Sequence, residues 1–361
     1  MRHRFHAICP YFAMFPETFV KKHLVWSKDG DTVLDPFSGR GTTAFESLLN
    51  NRKAIGLDIN PVAVCISRAK VRSPSLKSVV DRIEELRKTY RITDFSHDLF
   101  RDEFFRACYE KSTLDQILFV RNTLDWEGND LDCFIAALML GRLHGESHRS
   151  PSYLSNRMPR TISTKPAYSV RWWANGGHIA PRRDVFDVLL AETNFRFAST
   201  PPDQMGFIAH GDVRNAGDLL SEFKETTALV ITSPPYLDTT NFEEDQWLRR
   251  WFLGGPPSPH SKRGDHRHIN SDGYWTFIQE AWAGIAPLLN ENSTIVVRIG
   301  GAKIDFEGAT ERLLSSLQQG LGRKVTLKER HSSDIVKSQI DSFHPKERSA
   351  KREFDYVFTA A

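Results

Sequence analysis

The chain is poor in the features that build secreted, metal-stapled or membrane-spanning proteins. Only four of its 361 residues are cysteine, at Cys9, Cys65, Cys108 and Cys133, with no Cys-x-x-Cys pair among them. That spacing argues against a disulfide framework and against a thiolate metal centre; it predicts reduced, mostly buried thiols and a cytoplasmic location. No apolar run approaches the roughly 20 residues needed to span a bilayer. The opening Met1-Arg2-His3-Arg4-Phe5-His6 lacks the apolar core of a secretory signal. No internal repeat is present, which argues against solenoids and propellers. The excess of either charge is also small: 48 Lys and Arg stand against 45 Asp and Glu, a formal net charge of +3. Any affinity for nucleic acid must therefore be read from where the charge sits, not from its sum.

What is there is an alternation of apolar strands and amphipathic helices. Residues 31–72 read as strand, helix, strand and helix, the first half of a doubly wound sheet. From 75 to about 145 the pattern is helical: Val79, Ile83 and Leu86 fall on one face, as do Leu114, Ile117 and Leu118. Between 146 and 182 the frequent Gly, Pro, Ser and Asn predict loops, and 184–197 reads as another helix. Strands resume at Phe207–Asp212, Ala228–Ile231 and Ser293–Ile299. Helices are expected near 243–253, over 275–289 and over 309–321. A final antiparallel pair is expected from Lys324–Lys328 and Phe354–Phe358. The whole is an α/β fold: a doubly wound, mostly parallel, seven-stranded Rossmann-like sheet with a large, mainly helical insertion. The expected organisation is 1–74, the insertion 75–203, and 204–361.

Two segments carry chemistry. In the first, Asp31-Thr-Val-Leu-Asp35-Pro-Phe37-Ser-Gly39-Arg-Gly41-Thr42-Thr43 reads as strand, glycine turn and helix start. Gly39 and Gly41 let the backbone approach a ligand, and Thr42 and Thr43 are candidate helix caps. The next strand ends in Asp58, about twenty residues on, where dinucleotide-type sites place a carboxylate on ribose hydroxyls. In the second, the strand Ala228–Ile231 runs into Thr232-Ser233-Pro234-Pro235-Tyr236. Two prolines lack N–H groups and stop the strand. The resulting rigid loop has carbonyls free to accept from an exocyclic amine and an aromatic ring to stack on a flat base.

Together, Asp35-Pro-Phe-Ser-Gly-Arg-Gly-Thr-Thr43, Gly56-Leu-Asp58-Ile59-Asn60-Pro61 and Thr-Ser-Pro-Pro-Tyr resemble the S-adenosylmethionine-dependent DNA amino-methyltransferases. Serine before Pro-Pro-Tyr is most similar to the cytosine-N4 branch; the adenine-N6 branch more often carries Asp or Asn there. Tyr11-Phe-Ala-Met-Phe15-Pro16 is similar to the segment that closes over the cofactor's methionine end. The resemblance covers 9–66 and about 207–361. It implies S-adenosyl-L-methionine as cofactor, held by Asp35, Phe37, Gly39 and Gly41, with Phe15, Pro16, Thr42 and Thr43 bordering the methionine carboxylate. Asp58 would serve the ribose, Asp212 the adenine amine, and Ile59 and Val213 the adenine ring, with Asn60 also among the cofactor-binding residues. A nicotinamide site is the competing reading, but it expects Gly-x-Gly-x-x-Gly and the third position here is Ala44.

The reaction implied is direct in-line methyl transfer to a flipped-out base in duplex DNA, with no metal. Ser233 and the Pro234 carbonyl would accept the amine hydrogens, Tyr236 would stack on the base, and Pro235 would stiffen the loop. Phe242 and Trp247 are candidates for filling the gap, with helix packing as their competing role. The absence of a Pro-Cys dipeptide argues against cytosine-C5 chemistry. Residues 142–183 hold eight Lys or Arg against one acid, Glu146. Arg149, Arg157, Arg160, Lys165, Arg171, Trp172, Arg182 and Arg183 are accordingly the candidate DNA-reading set, with Lys262 and Arg263 in a second loop. Trp173 could serve there or pack internally. Adenine-N6 methylation, RNA methylation and a non-catalytic DNA-binding subunit are the other readings. A restriction endonuclease is the candidate cognate partner.

Overall fold

The computed structural model describes residues 2–11, 15–91, 98–145, 152–158, 165–236, 246–259, 271–300, 306–334 and 352–361. They fall into two compact units. One comprises Tyr11–Ser67, Pro202–Thr240 and Lys262–Ala361; the other comprises Met1–Pro10, Arg68–Pro201 and Asn241–Ser261. Besides the expected insertion, the second unit thus takes in both the N-terminal ten residues and a segment beyond the Pro-Pro-Tyr loop.

The first unit is built on seven strands: β1 (Thr32–Asp35), β2 (Lys53–Asp58), β3 (Phe207–His210), β4 (Thr227–Thr232), β5 (Leu289–Gly300), β6 (Val325–Asp334) and β7 (Arg352–Ala360). Their order is β3-β2-β1-β4-β5-β7-β6. The five strands from β3 to β5 are parallel, and β7 runs antiparallel between β5 and β6. The expected fold class is the one observed. Burial on both faces explains the near-continuous apolar runs. Val33, Leu229, Ile231, Val296 and Val357 pack with Phe15, Phe19 and Val20 in one core. Their chain neighbours Leu34, Val230, Ile295, Val297 and Phe358 belong to a second, larger core. Each fully buried side chain of this kind contributes about 1.5–3 kcal/mol.

The helices of this unit that precede the insertion are α1 (Glu17–His23), α2 (Thr42–Leu49) and the start of α3 (Pro61–Val71). The second unit continues from α3 into α4 (Leu76–Thr89), α5 (Glu103–Cys108), α6 (Lys111–Thr123), α7 (Asp130–Arg142), α8 (Pro166–Asn175) and α9 (Val185–Phe197). Side chains cap these helices where the sequence offers them. Ser75 accepts from Ser78 N, Asp102 from Phe104 N, and Asn129 from Leu131 N. Helix α8 lies inside the stretch expected to be loop. Its Pro166 occupies the first helical turn, where the missing N–H costs nothing, so Lys165-Pro166 marks a helix start and not a break.

After β3 come α10 (Ala216–Leu219), α11 (Trp247–Phe252), α12 (Ser271–Ile285) and α13 (Phe306–Leu321). Trp247 is buried, 5.0 Å from the ring of Phe104, so its packing role prevails. Phe242 lies outside the described residues. No helix among those described is long and apolar enough to cross a membrane.

All four cysteines are buried and unbridged. Burial pushes the Cys9 thiol up despite Arg249 and Lys70 nearby, and pushes Cys108 well up. The reactive thiolate is therefore scarce at neutral pH. An aromatic disulfide reagent should label these thiols slowly in the native protein and all at once in denaturant. Rapid native labelling of any of them would contradict the packing described here.

Candidate active site

Strand order reverses between β1 and β4, and in doubly wound sheets ligands bind at that switch point, beyond the strands' carboxyl ends. Asp35 is the last residue of β1, and Ser233 follows β4. The hydroxyl of Thr232, which ends β4, donates to Asp35 Oδ1 at 2.7 Å, and Phe37 N donates to the same oxygen at 3.2 Å. Burial nevertheless dominates and raises the Asp35 carboxyl to about 6. A buried acid tuned this far, beside an opening, is the pattern of a functional group.

The glycine turn follows. Gly39 and Gly41 have φ of +50° and +70°, the left-handed region that side chains avoid. At Gly41 space is also lacking: a Cβ would stand 2.8 Å from Ser67 Oγ and 3.0 Å from Ser67 Cα. Ser67 Oγ in turn donates to Gly39 O at 2.8 Å, which clamps the turn from beneath. Gly41 itself is the N-cap of α2, without a side-chain cap. Thr42 and Thr43 therefore do not cap the helix; they lie within its first turn. Their hydroxyls have other partners: Thr42 Oγ1 accepts from Arg40 Nε at 3.1 Å, and Thr43 Oγ1 donates to Ile231 O at 3.0 Å.

An open pocket sits over this turn, lined by Tyr11, Phe15, Asp35, Phe37, Ser38, Gly39, Arg40, Thr42 and Ser233. It brings together residues nearly two hundred positions apart. Tyr11, Ser38 and Arg40 were not singled out from the sequence. Arg40 is buried and pairs with Glu17 at 3.1 Å, which a local pattern does not reveal. Pro16 stands at the N-cap of α1. Phe12, Ala13 and Met14 lie outside the described residues.

The other expected cofactor residues lie along the same strand ends. Asp58 Oδ2 accepts from Gly39 N at 2.8 Å and its Oδ1 from Asn60 N at 2.9 Å; burial raises its carboxyl. Asn60 caps α3 through Val62 N and donates to the Tyr11 hydroxyl at 3.2 Å. Ile59 is 61% exposed, although large and apolar, whereas Val213 is buried in the larger core. Asp212 is held in a two-pronged pair with Arg214, at 3.0 and 2.7 Å. In the loop after β4, Pro234 is buried, while Ser233, Pro235 and Tyr236 are half-buried.

In the second unit Arg157, Lys165, Arg171 and Arg182 are exposed. Arg183 is less available, with Nε buried. Trp172 is half-buried with its ring 4.5 Å from that of His178, and Trp173 is buried against Phe104. Arg149, Arg160, Lys262 and Arg263 lie outside the described residues.

Residues 3–68 match the DNA methylase family model N6_N4_Mtase. The orphan methyltransferase M.BamHII of Bacillus amyloliquefaciens is 44% identical over 62 residues, 17% of this chain and 23% of that protein. The type II methyltransferase M.MjaII of Methanocaldococcus jannaschii is 33% identical over 108 residues, 28% of this chain and 19% of that one. The type II methyltransferase M.HpaI of Haemophilus parainfluenzae is 32% identical over 143 residues, 33% of this chain and 44% of that one. The chain thus spans less than half the length of each of these relatives. Among solved structures, the rRNA methyltransferase aviRa of Streptomyces viridochromogenes aligns over 97% of this chain and 87% of that one. Its identity is 14% and its TM-score 0.34, too slight a likeness to carry an argument; the fold rests on the strand order itself. Residues 3–68, which bear the glycine turn, are thus similar in sequence to DNA methylases of a family whose model carries both the N6 and the N4 name.

Proposed function

We propose that the protein transfers a methyl group from S-adenosylmethionine to the exocyclic N4 amine of cytosine in duplex DNA, with the target base flipped out. The observation that carries this reading is Ser233. It leads a Pro-Pro-Tyr loop and lines the same pocket as Asp35 and the glycine turn.

The residues present fit the cofactor that the family match implies. A backbone with two left-handed glycines leaves room for its amino-acid part, and the start of α2 favours a carboxylate. Phe15, Pro16, Thr42 and Thr43 border that end, and Tyr11 and Phe37 add aromatic walls. Asp35 offers a negative group to a cation. Asp58 takes the ribose hydroxyls, Asp212 the adenine amine, and Ile59 with Val213 the ring, and Asn60 stands beside Asp58 in the cofactor-binding set. Bound there, the cofactor supplies a methyl group already activated on a sulfonium. No covalent intermediate on the protein is needed.

The chain's own part is to make a poor nucleophile better. The amine lone pair is delocalised into the base; acceptors gripping its hydrogens return density to nitrogen. The Ser233 hydroxyl and the Pro234 carbonyl are those acceptors, pre-set by a loop that Pro235 stiffens. Tyr236 stacks on the flipped base and offsets part of the few kcal/mol of unstacking. Arg157, Lys165, Arg171, Arg182 and Arg183 neutralise phosphates, with Trp172 among them, as do Arg149, Arg160, Lys262 and Arg263. The type II names of two relatives favour a role beside a restriction endonuclease of the same site.

Nucleoside mass spectrometry on DNA from cells expressing the protein should show N4-methylcytosine, absent with Ser233→Ala. N6-methyladenine instead would overturn the base assignment; no mark in DNA but one in RNA would overturn the polymer. Tyr236→Ala should slow transfer with cofactor affinity kept, while Asp58→Ala should weaken the cofactor first. Equal losses of affinity in both would refute this division of roles.

The cofactor's affinity should also depend on pH. Below about 6 Asp35 is protonated and offers no charge to the sulfonium. Calorimetry should therefore find the dissociation constant rising as pH falls through that value. Asp35→Asn should bind more weakly at neutral pH and lose this dependence; an unchanged profile would refute the role.

A further inference from the structure

Behind the Pro-Pro-Tyr loop lies a hydrogen-bonded chain that ends on the ring assigned to the target base. The Tyr236 hydroxyl donates to Glu353 Oε1 at 3.1 Å. The other oxygen of Glu353 pairs with Arg298 Nη1 at 3.0 Å. Arg298 donates from Nε and Nη2 to the two oxygens of Asp355, at 2.7 and 2.8 Å, a fork-to-fork pair of the strong kind. Register makes this arrangement: on the β5–β7 ladder Arg298 stands opposite Asp355, and Gly300 opposite Glu353.

Two further contacts fix the ends of the chain. The Arg298 guanidinium lies 4.1 Å from the centre of the Phe19 ring, and Phe19 touches Phe15, a wall of the cofactor pocket, at 5.0 Å between centroids. At the other end the Tyr236 ring lies across Gly300. A Cβ there would stand 2.7 Å from Tyr236 Cε2. The ring can lie flat only because β5 has no side chain at that position.

We propose that Glu353 is a positioning residue for methyl transfer: buttressed by Arg298, it holds the Tyr236 phenol so that the ring stands ready for the flipped base, over a seat that Gly300 leaves open. The inference rests on the assignment of Tyr236 to the base. A ring free to turn about χ1 and χ2 must be ordered at each turnover, and a bond to a charged acceptor removes that step. The carboxylate oxygens meet Tyr236 and Arg298, so it acts through the tyrosine.

The test compares Tyr236→Phe, Glu353→Ala, Glu353→Gln and the Phe/Ala double variant. Each is assayed for single-turnover methylation of plasmid DNA and, by calorimetry, for cofactor affinity. Tyr236→Phe and Glu353→Ala should each slow transfer about ten-fold, the worth of a hydrogen bond to a charged group. The double variant should be no slower than Tyr236→Phe, because both changes remove the phenol–carboxylate bond, and Tyr236→Phe removes the phenol's bond with Ser233 besides. Glu353→Gln keeps an acceptor oxygen and should recover most of the rate. Gly300→Ala should slow transfer by displacing the ring. Cofactor affinity should stay within about two-fold throughout, as for changes confined to the base side.

Additive losses, wild-type rates in Glu353→Ala, or a loss of cofactor affinity matching the loss of rate would overturn the proposal. Tyr236→Ala separates the two layers. If it is slow while Glu353→Ala is not, only the positioning role falls. If Tyr236→Ala transfers at the full rate with cofactor affinity intact, the assignment of Tyr236 to the base falls and Glu353 with it.

Discussion

The hydrogen bond from Thr232 to Asp35, 2.7 Å long and buried, is the contact on which the site is hung. It crosses the seam between β1 and β4, where strand order reverses, and it ties the last residue of β1 to the last residue of β4. Everything assigned to cofactor stands on one side of that seam, and everything assigned to the base follows from the other. A carboxylate taken out of water without partners would cost several kcal/mol. The threonine hydroxyl and the Phe37 amide offset part of that, and the remainder is expressed as a carboxyl raised to about 6.

The same economy governs the glycine turn. Its amide and carbonyl groups are not left to solvent: Gly39 N reaches Asp58, Gly39 O receives Ser67, and Gly41 N bonds back to Ser38 O. Buried backbone groups must be satisfied, so the turn's shape is fixed by the end of β2, by α3 and by the turn's own return bond, not by the glycines alone. The glycines permit the path; Asp58 and Ser67 select it.

Much of this was legible in the sequence, because it depends on local rules. Apolar runs marked the strands and Gly39 and Gly41 marked the turn. Pro234 and Pro235 ended β4, and the acid at 58 closed β2. The failures have physical reasons. Thr42 and Thr43 are good cap residues, but Gly41 already took the cap position in a left-handed conformation, which freed the threonines to bond elsewhere. Pro166 reads as a breaker until its place in the first turn of α8 is known. The Arg40–Glu17 and Tyr236–Glu353 pairs join residues 23 and 117 positions apart, and no periodicity connects them. Likewise Asp212 shows in sequence only as a strand-end acid; that Arg214 grips it depends on a short helical turn after β3.

The helical insertion separates β2 from β3, which lie side by side in the sheet. Closing so long a connection costs little more free energy than closing a shorter one, since the entropy grows only with the logarithm of length. Its effect is on time. Neighbouring strands of such distant origin pair late, and pairing of this sort is slow. During synthesis the glycine turn emerges first, yet Thr232 and Ser233 arrive nearly two hundred residues afterwards. Until then Asp35 lacks the Thr232 donor and the opposite wall of its pocket. The nascent chain thus cannot hold the finished pocket, which forms only when β4 docks beside β1.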